Sequence, residues 1–401
     1  MKLEKVQASR FPVGVVVTGG ISANSLGVVR AFGRRNAPVV YVDSEPDCVV
    51  KYSRYITRHV GYRHTEESGD MLVKVLTGLG KELDGKMLIV PTNDRDVMVL
   101  SKHRGELEKY YYLPVPSPEI VQRLVNKRDF YTLLEKMQVP HPKTYFLEHI
   151  DKLRSVAREI GYPFIVKPAL SLQFQMQYGR KNFVITSDED LGRVARRLKD
   201  SEHEVMAQEI IPGKEIYAFY AYLNRKSEPL ALCGYDKLRH YPDFGMGTCC
   251  RSILRKTPTL QSLRLLKETR YFGFAEPEVI KDPRDGQYKL IEINARTTLQ
   301  NRLAAACGVD VEYTAYLDAS GKSLESSTSP REGVFWVDDF MDLLACFVLL
   351  RKRRLSVGEM LAPPKTGTVH SFAALDDPAP YLFRAKHLAR LGFSLPFRGF
   401  D

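Results

Sequence analysis

The chain has 401 residues, of which 44% are hydrophobic and 27% charged, so it is long enough for two or three domains with a substantial core. No apolar run approaches the ~20 residues of a membrane span, and the N-terminus lacks a secretory signal, which indicates a cytoplasmic globular protein. The net charge of +11 raises the question of a nucleic-acid partner, but Lys and Arg are spread along the chain, which favours a solvated surface.

The six cysteines and nine histidines give no sign of a metal centre or a catalytic triad. Cys249 and Cys250 are adjacent, the other cysteines are scattered, and no C-x-x-C pair occurs. The pattern therefore predicts reduced, buried thiols and no zinc site.

The first third of the chain alternates strand and helix signals. A continuous apolar run, Val13 to Gly20, ends in glycines, and a helical stretch then leads to a second run that ends at Asp43. A third run, Met87 to Val90, is followed by Pro-Thr-Asn-Asp. These runs predict βαβ units of a parallel sheet that delivers polar residues to its carboxyl edge.

The middle of the chain begins with a helix start at Ser117, where Pro118 takes the first helical position, and the helices run to about Gln138. The Pro-rich segment 139–142 predicts a domain boundary. From Thr144 onward, strand and helix signals alternate irregularly and predict an α+β domain with antiparallel strands. Within it, segment 171–180, SLQFQMQYGR, is predicted to be an irregular loop.

Two segments of this domain carry polar residues of interest. The apolar strand 163–166 ends at Lys167, and a buried lysine needs a partner such as a phosphate, unless it emerges into water. In segment 208–215 a strand and a tight turn are followed by Glu215. Such a backbone can hydrogen-bond a purine edge while Glu215 accepts from ribose hydroxyls, although a hairpin with exposed glutamates has the same pattern.

The segment from Glu278 to Arg296, EVIKDPRDGQYKLIEINAR, predicts a β-hairpin with its turn at 282–286. If the loop is symmetric about Asp285, Glu278 lies opposite Glu292. The alternation of side chains then places these two acids and Asn294 on one face, together with Ile280 and Leu290.

Like charges directly opposite one another destabilise a sheet, so this pairing requires a cation between Glu278 and Glu292. Carboxylate and amide oxygens suit Mg²⁺, which is usually bound together with substrate phosphates, with Mn²⁺ as an alternative ion. The competing interpretation is a solvated hairpin whose acids never meet, since a one-residue slip flips every side chain.

The order of these elements resembles the ATP-grasp superfamily, and within it the predicted carboxylate-amine ligases of the D-aspartate ligase type. The resemblance covers most of the chain, and DPRDG…IEINAR is its most specific part. It implies an α/β plus α+β fold with an N-terminal Rossmann-like (pre-ATP-grasp) domain, two α+β subdomains that clasp ATP, and a C-terminal extension. The implied divisions are residues 1–115, 116–204, 205–320 and 321–401.

The resemblance also implies a role for each matching residue. Lys127 and Lys167 match lysines that contact ATP phosphates. Glu209 and the backbone around Ile211 match the adenine-binding hinge, and Glu215 matches the ribose-binding acid. The implied Mg²⁺ ligands are Glu278, Glu292 and Asn294. The implied catalytic arginines, which face the transferring phosphoryl group or the substrate carboxylate, are Arg296 and Arg251.

One segment departs from the family pattern. The family covers the phosphates with a mobile glycine-rich loop, because backbone amides must approach the phosphate oxygens closely. Segment 171–180 has only Gly179 and carries bulky residues, Phe174, Met176 and Tyr178. The sequence therefore predicts a covering segment that relies on glutamine side chains and Arg180, or one that closes differently.

The implied activity is that of a Mg-ATP-dependent ligase, which joins a carboxylate to an amine through an acyl phosphate. Its partners would be ATP and two small molecules, an amino acid or small peptide among them, with no membrane or nucleic acid; a homo-oligomer is left open. Segments 19–25 and 92–96 are predicted to line one substrate site.

Three other functions stay open. A non-catalytic nucleotide-binding or regulatory protein would share the fold, and the atypical segment 171–180 favours it. A nicotinamide-dependent oxidoreductase rests on the βαβ unit and Asp43, although Ile21 breaks the G-x-G-x-x-G spacing. Biotin carboxylation also occurs among ATP-grasp enzymes, but no specific feature of the chain indicates it.

Overall fold

The computed structural model describes residues 14–20, 22–45, 48–63, 68–83, 85–241, 245–322, 324–361 and 368–390. Val13 and Ile21, which belong to the predicted first strand and glycine turn, lie outside the described residues. None of the helices in the described ranges is both long enough and apolar enough to span a membrane.

The first sheet has five parallel strands in the order β3-β2-β1-β4-β5. The strands are β1 (Val15–Gly19), β2 (Val39–Asp43), β3 (Arg58–Gly61), β4 (Met87–Pro91) and β5 (Tyr111–Tyr112). The helices between them are α1 (Ala23–Gly33), α2 (Ser68–Glu82), α3 (Asp94–Lys102) and α4 (Arg104–Leu107). Val16 and Val17 point to opposite faces and are both fully buried. Burial on both faces explains the continuous apolar runs, and the predicted βαβ units are confirmed.

Two helices follow the first sheet and lead to a second one. These are α5 (Pro118–Val125) and α6 (Lys127–Lys136). The second sheet has four antiparallel strands in the order β6-β9-β7-β8, namely β6 (Thr144–Leu147), β7 (Phe164–Pro168), β8 (Phe183–Ile185) and β9 (Val205–Glu209). Its helices are α7 (Leu153–Ile160), α8 (Ser171–Tyr178) and α9 (Asp188–Arg197), and it has a hydrophobic core of its own.

The third sheet has seven strands in the order β14-β13-β10-β11-β12-β15-β16. The strands are β10 (Ile216–Leu223), β11 (Pro229–Tyr241), β12 (Met246–Ser252), β13 (Gly273–Lys281), β14 (Tyr288–Asn294), β15 (Phe335–Val337) and β16 (Val369–His370). The remaining helices are α10 (Lys256–Glu268), α11 (Asn301–Ala306), α12 (Val311–Ala319), α13 (Met341–Arg351), α14 (Val357–Leu361) and α15 (Ala379–Arg390). All pairs are antiparallel except β15 with β16.

The two faces of the third sheet belong to different hydrophobic clusters. Tyr217 and Phe219 lie in one cluster, whereas Ala218 and Tyr220 lie in the other. Each cluster extends to one face of the first sheet, so the first and third sheets share their cores. The second sheet, with its separate core, is therefore the more independent unit.

Two features of the second sheet differ from the sequence predictions. Segment 171–178 was predicted to be a loop but forms helix α8, which ends at Gly179 in the left-handed conformation (φ 73°). Its residue Phe174 is fully buried, and the ring contacts Phe183 and Tyr178. The predicted boundary at residue 205 would assign β9 to the third sheet, whereas β9 pairs with β6 and β7 in the second.

Candidate active site

The hairpin formed by β13 and β14 has the predicted pairing of acids. Glu278 is the register partner of Glu292, and Glu276 is the register partner of Asn294. Because side chains alternate along a strand, these four residues lie on one face. The predicted pairing of Glu278 with Glu292 is confirmed, and the same face also carries Glu276, which the sequence analysis did not include.

A β-bulge in this hairpin corrects one part of the prediction. The register shifts after Glu278, so that Val279 pairs with Leu290 and Ile291 is the extra residue. Leu290 therefore packs in the core with Val279 and does not share the face of the acids. The backbone around the bulge is fixed by two hydrogen bonds, from Leu290 N to the carbonyl of Pro140 (2.8 Å) and from the Tyr131 hydroxyl to the carbonyl of Ile291 (2.7 Å).

A buried lysine lies among these acids. Lys237 on β11 forms an ion pair with Glu278, and its Nζ is 3.6 Å from Glu276 Oε1. Burial disfavours the charged ammonium, but Glu278 and Glu276 outweigh this effect and raise the pKa of Lys237. Conversely, burial and the neighbouring Glu292 and Glu276 raise the pKa of Glu278 to about 7, despite the opposing effect of Lys237.

The acidic cluster provides the kind of donors that a hard divalent cation requires. Its oxygens come from the carboxylates of Glu276, Glu278 and Glu292 and from the Asn294 amide, which suits Mg²⁺ better than a softer metal. No three His, Cys, Asp or Glu side chains within the described ranges converge as a metal site, and Lys237 lies between Glu276 and Glu278. The donor chemistry, three carboxylates and an amide oxygen on one face, fits an additional hard cation.

Two further lysines lie close to Glu292. Lys127 is the first residue of α6, where Asn126 caps the helix and the backbone N–H of Lys127 donates to the carbonyl of Ala169 (3.1 Å). Lys167 on β7 is only 7% exposed. The pKa of each lysine is lowered to about 8, mainly by burial. The charge of Lys167 contributes to the lowering for Lys127, whereas the charge of Glu292 acts in the opposite direction on the pKa of both lysines.

Tyr131 connects these lysines to the hairpin. Lys167 Nζ donates to the Tyr131 hydroxyl (3.2 Å) and lies 4.9 Å from the centre of its ring. The same hydroxyl donates to the carbonyl of Ile291 at the bulge. Helix α6, strand β7 and strand β14 are thus joined through one side chain, which fixes the lysines relative to the acidic cluster.

The charge of Glu292 is supported from several directions. Burial raises its pKa, but Lys127, Lys237, Lys181 and Lys167 more than offset this and lower it below the usual value. Lys181 is exposed and follows helix α8 directly after Arg180. A cation thus lies one residue beyond the segment 171–180 that was expected to cover the site, at a position that the sequence analysis did not select.

Segment 210–215 joins the second sheet to the third, as expected for a hinge. Ile211 is buried, while the Glu215 side chain is exposed, with its Oε1 3.7 Å from Lys281 Nζ. A methyl group on Gly213 would lie 2.1 Å from the carbonyl oxygen of Lys281, so the hinge backbone packs directly against β13.

The side chain of Glu209 is engaged within the protein. Its carboxylate accepts from the backbone N–H of Lys143 (2.8 Å) and from Arg284 (2.7 Å), and Lys289 lies 3.6 Å away. Burial raises the pKa of Glu209, but these partners outweigh it and lower the pKa. Glu209 thus ties the end of β9 to the hairpin turn.

Arg296 connects the hairpin to the first sheet. Its Nε donates to Asp94 Oδ1 (3.0 Å), and its Nη2 donates to Asn294 Oδ1 (3.0 Å). Asn24 bridges the same interface, because its Nδ2 donates to the carbonyls of Thr92 (2.9 Å) and Thr297 (2.7 Å). The carboxyl edge of the first sheet, with segments 19–25 and 92–96, therefore adjoins the acidic cluster.

The structure does not bring Arg251 to this cluster. Arg251 pairs in register with Asp236, and their side chains form an ion pair of 3.6 Å. Asp236 precedes Lys237 on β11, so the two side chains point to opposite faces of the sheet. Asp236 also accepts a bidentate pair of hydrogen bonds from Arg255 (2.7 and 2.8 Å). Arg251 thus lies across the sheet from Glu278.

Of the predicted site residues, the structure gathers Lys127, Lys167, Glu278, Glu292, Asn294 and Arg296. The sequence analysis missed Glu276, Lys237 and Lys181. The Glu-x-Glu spacing of 276 and 278 was a usable signal, since residues two apart share a face of a strand. Lys237 carried no such signal, because its acidic partners lie more than 35 residues further along the chain.

The three sheets, with Lys167 on the second and the acids on the third, form an ATP-grasp fold. Two solved structures share this fold. One is N5-carboxyaminoimidazole synthetase from Staphylococcus aureus with ADP, with a TM-score of 0.61 and 17% identity over 80% of each chain. The other is an N5-carboxyaminoimidazole ribonucleotide synthetase with ADP, with a TM-score of 0.65 and 14% identity over 87% of each chain. The biotin carboxylase domain of Hydrogenobacter thermophilus 2-oxoglutarate carboxylase also shares the fold, with a TM-score of 0.62 and 17% identity. The match covers 80% of this chain and 73% of that domain's chain. The predicted fold class is confirmed.

In sequence, the chain is similar to ligases of this class. It is 25% identical to D-aspartate ligase of Enterococcus faecium over 297 residues. The aligned region covers 69% of this chain and 70% of that relative. It is 22% identical over 315 residues to the carbamoyl phosphate synthase large chain of Clostridium acetobutylicum, of which it spans 28%. No family model matches the chain. The predicted resemblance to ATP-grasp ligases is confirmed by these relatives.

Proposed function

We propose that the chain is a Mg-ATP-dependent ligase that joins a carboxylate to an amine through an acyl phosphate, with an amino acid or small peptide as a substrate. The observation that carries the proposal is the position of Lys127 on α6 and Lys167 on β7, both close enough to Glu292 on β14 for its charge to raise their pKa. Burial lowers the pKa of both lysines to about 8, and the phosphates of ATP would stabilise their protonated forms.

Different residues of the site would bind different parts of ATP. Lys127 and Lys167 would bind the phosphate oxygens, and the hinge backbone around Ile211 would meet the adenine edge. Glu215, exposed at the start of β10, is placed to accept from the ribose hydroxyls. Glu209 positions the hinge through Arg284 and Lys143. This assignment keeps the residues of the family pattern except Arg251.

Glu278, Glu292 and Asn294, with Glu276 beside them, would hold Mg²⁺, which neutralises charge on the phosphates during transfer. Lys237 would offset part of the negative charge of Glu278 and Glu276 by its ion pairs with both. Arg296 already binds Asp94 and Asn294, so its guanidinium is oriented at the boundary with the first sheet. There it could bind a substrate carboxylate bidentately.

The reaction requires no protein nucleophile. An oxygen of the substrate carboxylate attacks the γ-phosphorus of ATP, the bond to the β-γ bridging oxygen breaks, and ADP leaves. The amine nitrogen then attacks the acyl carbon, phosphate leaves, and the nitrogen loses a proton. Alignment of the reacting atoms and neutralisation of their charge account for most of such catalysis, and the lysines and Arg296 supply both.

A hydroxylamine trap tests the proposal. The protein is incubated with Mg-ATP, hydroxylamine and a panel of amino acids, small peptides and small acids, and hydroxamate and ADP are measured. We expect hydroxamate and ADP in equal amounts with at least one acid and no signal from Glu292→Gln. The control Glu268→Gln, an exposed acid on α10 paired with Arg264, should retain full activity. Absence of acid-dependent ADP release with wild-type protein would contradict the proposal.

Helix α8 favours a second candidate, a non-catalytic nucleotide-binding protein. The family covers the phosphates with a glycine-rich loop, whereas here Phe174 anchors a regular helix in the core of the second sheet. Calorimetry with ADP and Mg²⁺ separates the candidates. Binding of ADP with no turnover on the whole panel selects this second function, and binding with turnover selects the ligase.

A further inference from the structure

A cavity of about 630 Å³ lies far from the acidic cluster. It opens at the amino edge of the first sheet, where Lys86 precedes β4, whereas segment 92–96 follows the other end of that strand. Its opposite wall is formed by Tyr222 on β10 and by the turn between β10 and β11. Tyr222 is four residues along β10 from Ala218, the register partner of Glu278, a separation of roughly 13 Å. We call this space the amino-edge cavity.

The charges around the amino-edge cavity favour an anion. Four cations, Lys86, Arg104, Arg225 and Lys226, line it with two acids, Glu108 and Asp318. Both arginines share a single carboxylate oxygen, Glu108 Oε1, at 2.6 Å from Arg104 and 3.6 Å from Arg225.

The remaining lining groups add to this excess of positive charge. The Asp318 carboxylate accepts from the Tyr222 hydroxyl (2.7 Å), and Lys86 Nζ donates to the backbone carbonyl of Glu108 (2.6 Å). Neither contact neutralises a cation with an opposite charge. The cavity therefore keeps two positive charges in excess, with ammonium and guanidinium donors that suit phosphate oxygens.

The walls also contain flat groups. Phe272 lies beneath two guanidinium groups, at 4.9 Å for Arg225 and 5.7 Å for Arg104, measured from Cζ to the ring centre. The rings of Tyr112 and Tyr222 line the same space. Guanidinium planes and aromatic rings stack on a planar ring of a ligand, so the lining combines donors for phosphate with surfaces for a base.

The cavity is built on rigid backbone. Gly273 follows Phe272 with a φ of +100°, and a methyl group there would lie 2.1 Å from the carbonyl oxygen of Pro114, which also lines the cavity. The Tyr111 hydroxyl donates to the carbonyl of Leu76 (2.6 Å), which fixes the edge strand. A pre-formed cavity of this size lies within the range of small-molecule sites, roughly 300–1,000 Å³.

We propose that the amino-edge cavity is a second ligand site, separate from the candidate active site, for a phosphate-bearing small molecule of nucleotide size with a planar ring. Its phosphate binds Lys86, Arg225 and Lys226, and its ring stacks against the arginine and aromatic wall. Strand β13 begins at Gly273, directly after the lining residue Phe272, and carries Glu276 and Glu278 further along, so one strand leads from the cavity to the acidic cluster.

Calorimetric titration tests the site with two probes, 5′-UMP and pyrophosphate, on protein held in saturating Mg²⁺ and a non-hydrolysable ATP analogue. We expect one 5′-UMP per chain, bound more tightly than pyrophosphate because pyrophosphate lacks the ring. The double variant Arg225→Ala/Lys226→Ala should weaken 5′-UMP roughly tenfold or more. These two residues lie in an exposed turn, so the fold should be kept, which circular dichroism verifies.

The matched control is Arg264→Ala, an exposed arginine on α10 that also pairs with an acid, and its 5′-UMP affinity should equal that of the wild type. Saturable 5′-UMP binding that Glu292→Gln leaves intact and the double variant weakens supports the site, whatever the outcome of the ligase assay. The proposal is overturned if neither probe binds, if the double variant binds as tightly as the wild type, or if Glu292→Gln abolishes the binding.

Discussion

Glu278 and Glu292 face one another directly across two antiparallel strands. Such a pair of like charges destabilises a sheet, yet here it is reinforced by a third acid, Glu276, on the same face. The compensation comes from lysines on both sides, Lys237 within the third sheet and Lys127 and Lys167 beside the second. The acids are thus poised between two groups of cations, which is the arrangement expected where phosphates and a metal ion meet.

Glu292→Gln removes one charge with little change of volume. We expect loss of acid-dependent ADP release by at least roughly 100-fold, since even outer partners of metal ligands cost up to about 100-fold when changed. The melting temperature without ligand should fall, because the surrounding lysines stabilise the charged form of Glu292 and lose this partner in the variant. Differential scanning fluorimetry with and without Mg-ATP and the hydroxamate assay measure both quantities. Full activity in this variant would contradict the metal assignment.

Lys237→Met tests whether this lysine reduces the repulsion between Glu276 and Glu278. Removal of one partner of a buried ion pair typically costs about 3–5 kcal/mol, because the other partner stays charged and buried. Here Glu276 and Glu278 would lose their common cation. We therefore expect a lower melting temperature and a larger stabilisation by Mg²⁺ than in the wild type. The control is Lys281→Met, a partly exposed lysine 3.7 Å from Glu215. Equal responses of wild type and Lys237→Met to Mg²⁺ would contradict this role.

The lysines beside Glu292 predict how nucleotide affinity depends on pH. Burial lowers the pKa of Lys127 and Lys167 to about 8, so both are charged below that pH and lose their protons above it. Only the charged forms attract phosphate. ADP affinity should therefore be nearly constant below pH 7 and fall above pH 8, by up to about tenfold per pH unit for each lysine that titrates.

Lys167→Arg provides the control, because a guanidinium remains protonated throughout this range. Calorimetric titrations of ADP with Mg²⁺ between pH 6.5 and 9.5, at constant ionic strength, should show a shallower decline in this variant. A decline of the same slope in both proteins would show that Lys167 does not carry the effect.

The elements of the fold were largely predictable because local patterns determine them. Strands β1, β2 and β4 are buried on both faces and give continuous apolar runs, and the turn cluster at 282–286 fixes the hairpin. The prediction was wrong where tertiary contacts decide. Helix α8 is stabilised by the burial of Phe174, which a polar, glutamine-rich segment does not reveal.

The candidate site was predictable only where its members are close in sequence. Glu278 and Glu292 belong to one hairpin, so the turn sets their register, whereas the bulge at Ile291 depends on Tyr131 and Pro140 from another part of the chain. Arg251 illustrates the same limit. Its position on the far face of the third sheet follows from the pairing of β11 with β12, which sequence periodicity alone does not specify.

The segment after β16 contains two adjacent aspartates, one in a buried ion pair and the other in an exposed ion pair. Their variants therefore compare the stability that each kind of pair contributes. Asp377 is buried with Arg30, which is itself fully buried, and their contact Nε–Oδ2 is 2.9 Å. Arg30 also donates to the carbonyls of Phe372 and Asp377, so it fastens this segment to helix α1. The neighbouring Asp376 forms an equally short pair with Arg34 (2.7 Å), but the side chains are 43% and 37% exposed.

Asp377→Asn should lower the free energy of unfolding by about 3–5 kcal/mol, because the charge of Arg30 remains buried without its partner. Asp376→Asn should cost about 0–1 kcal/mol, because solvent screens an exposed pair. Urea unfolding measures both, and limited proteolysis should release the C-terminal segment sooner in Asp377→Asn. Arg34 binds the Asp376 carboxylate through two hydrogen bonds and Arg30 binds the Asp377 carboxylate through one, so a larger loss in Asp377→Asn would follow from burial and not from the number of contacts within the pair. Equal losses would mean that Arg30 does not fasten this segment to the first sheet.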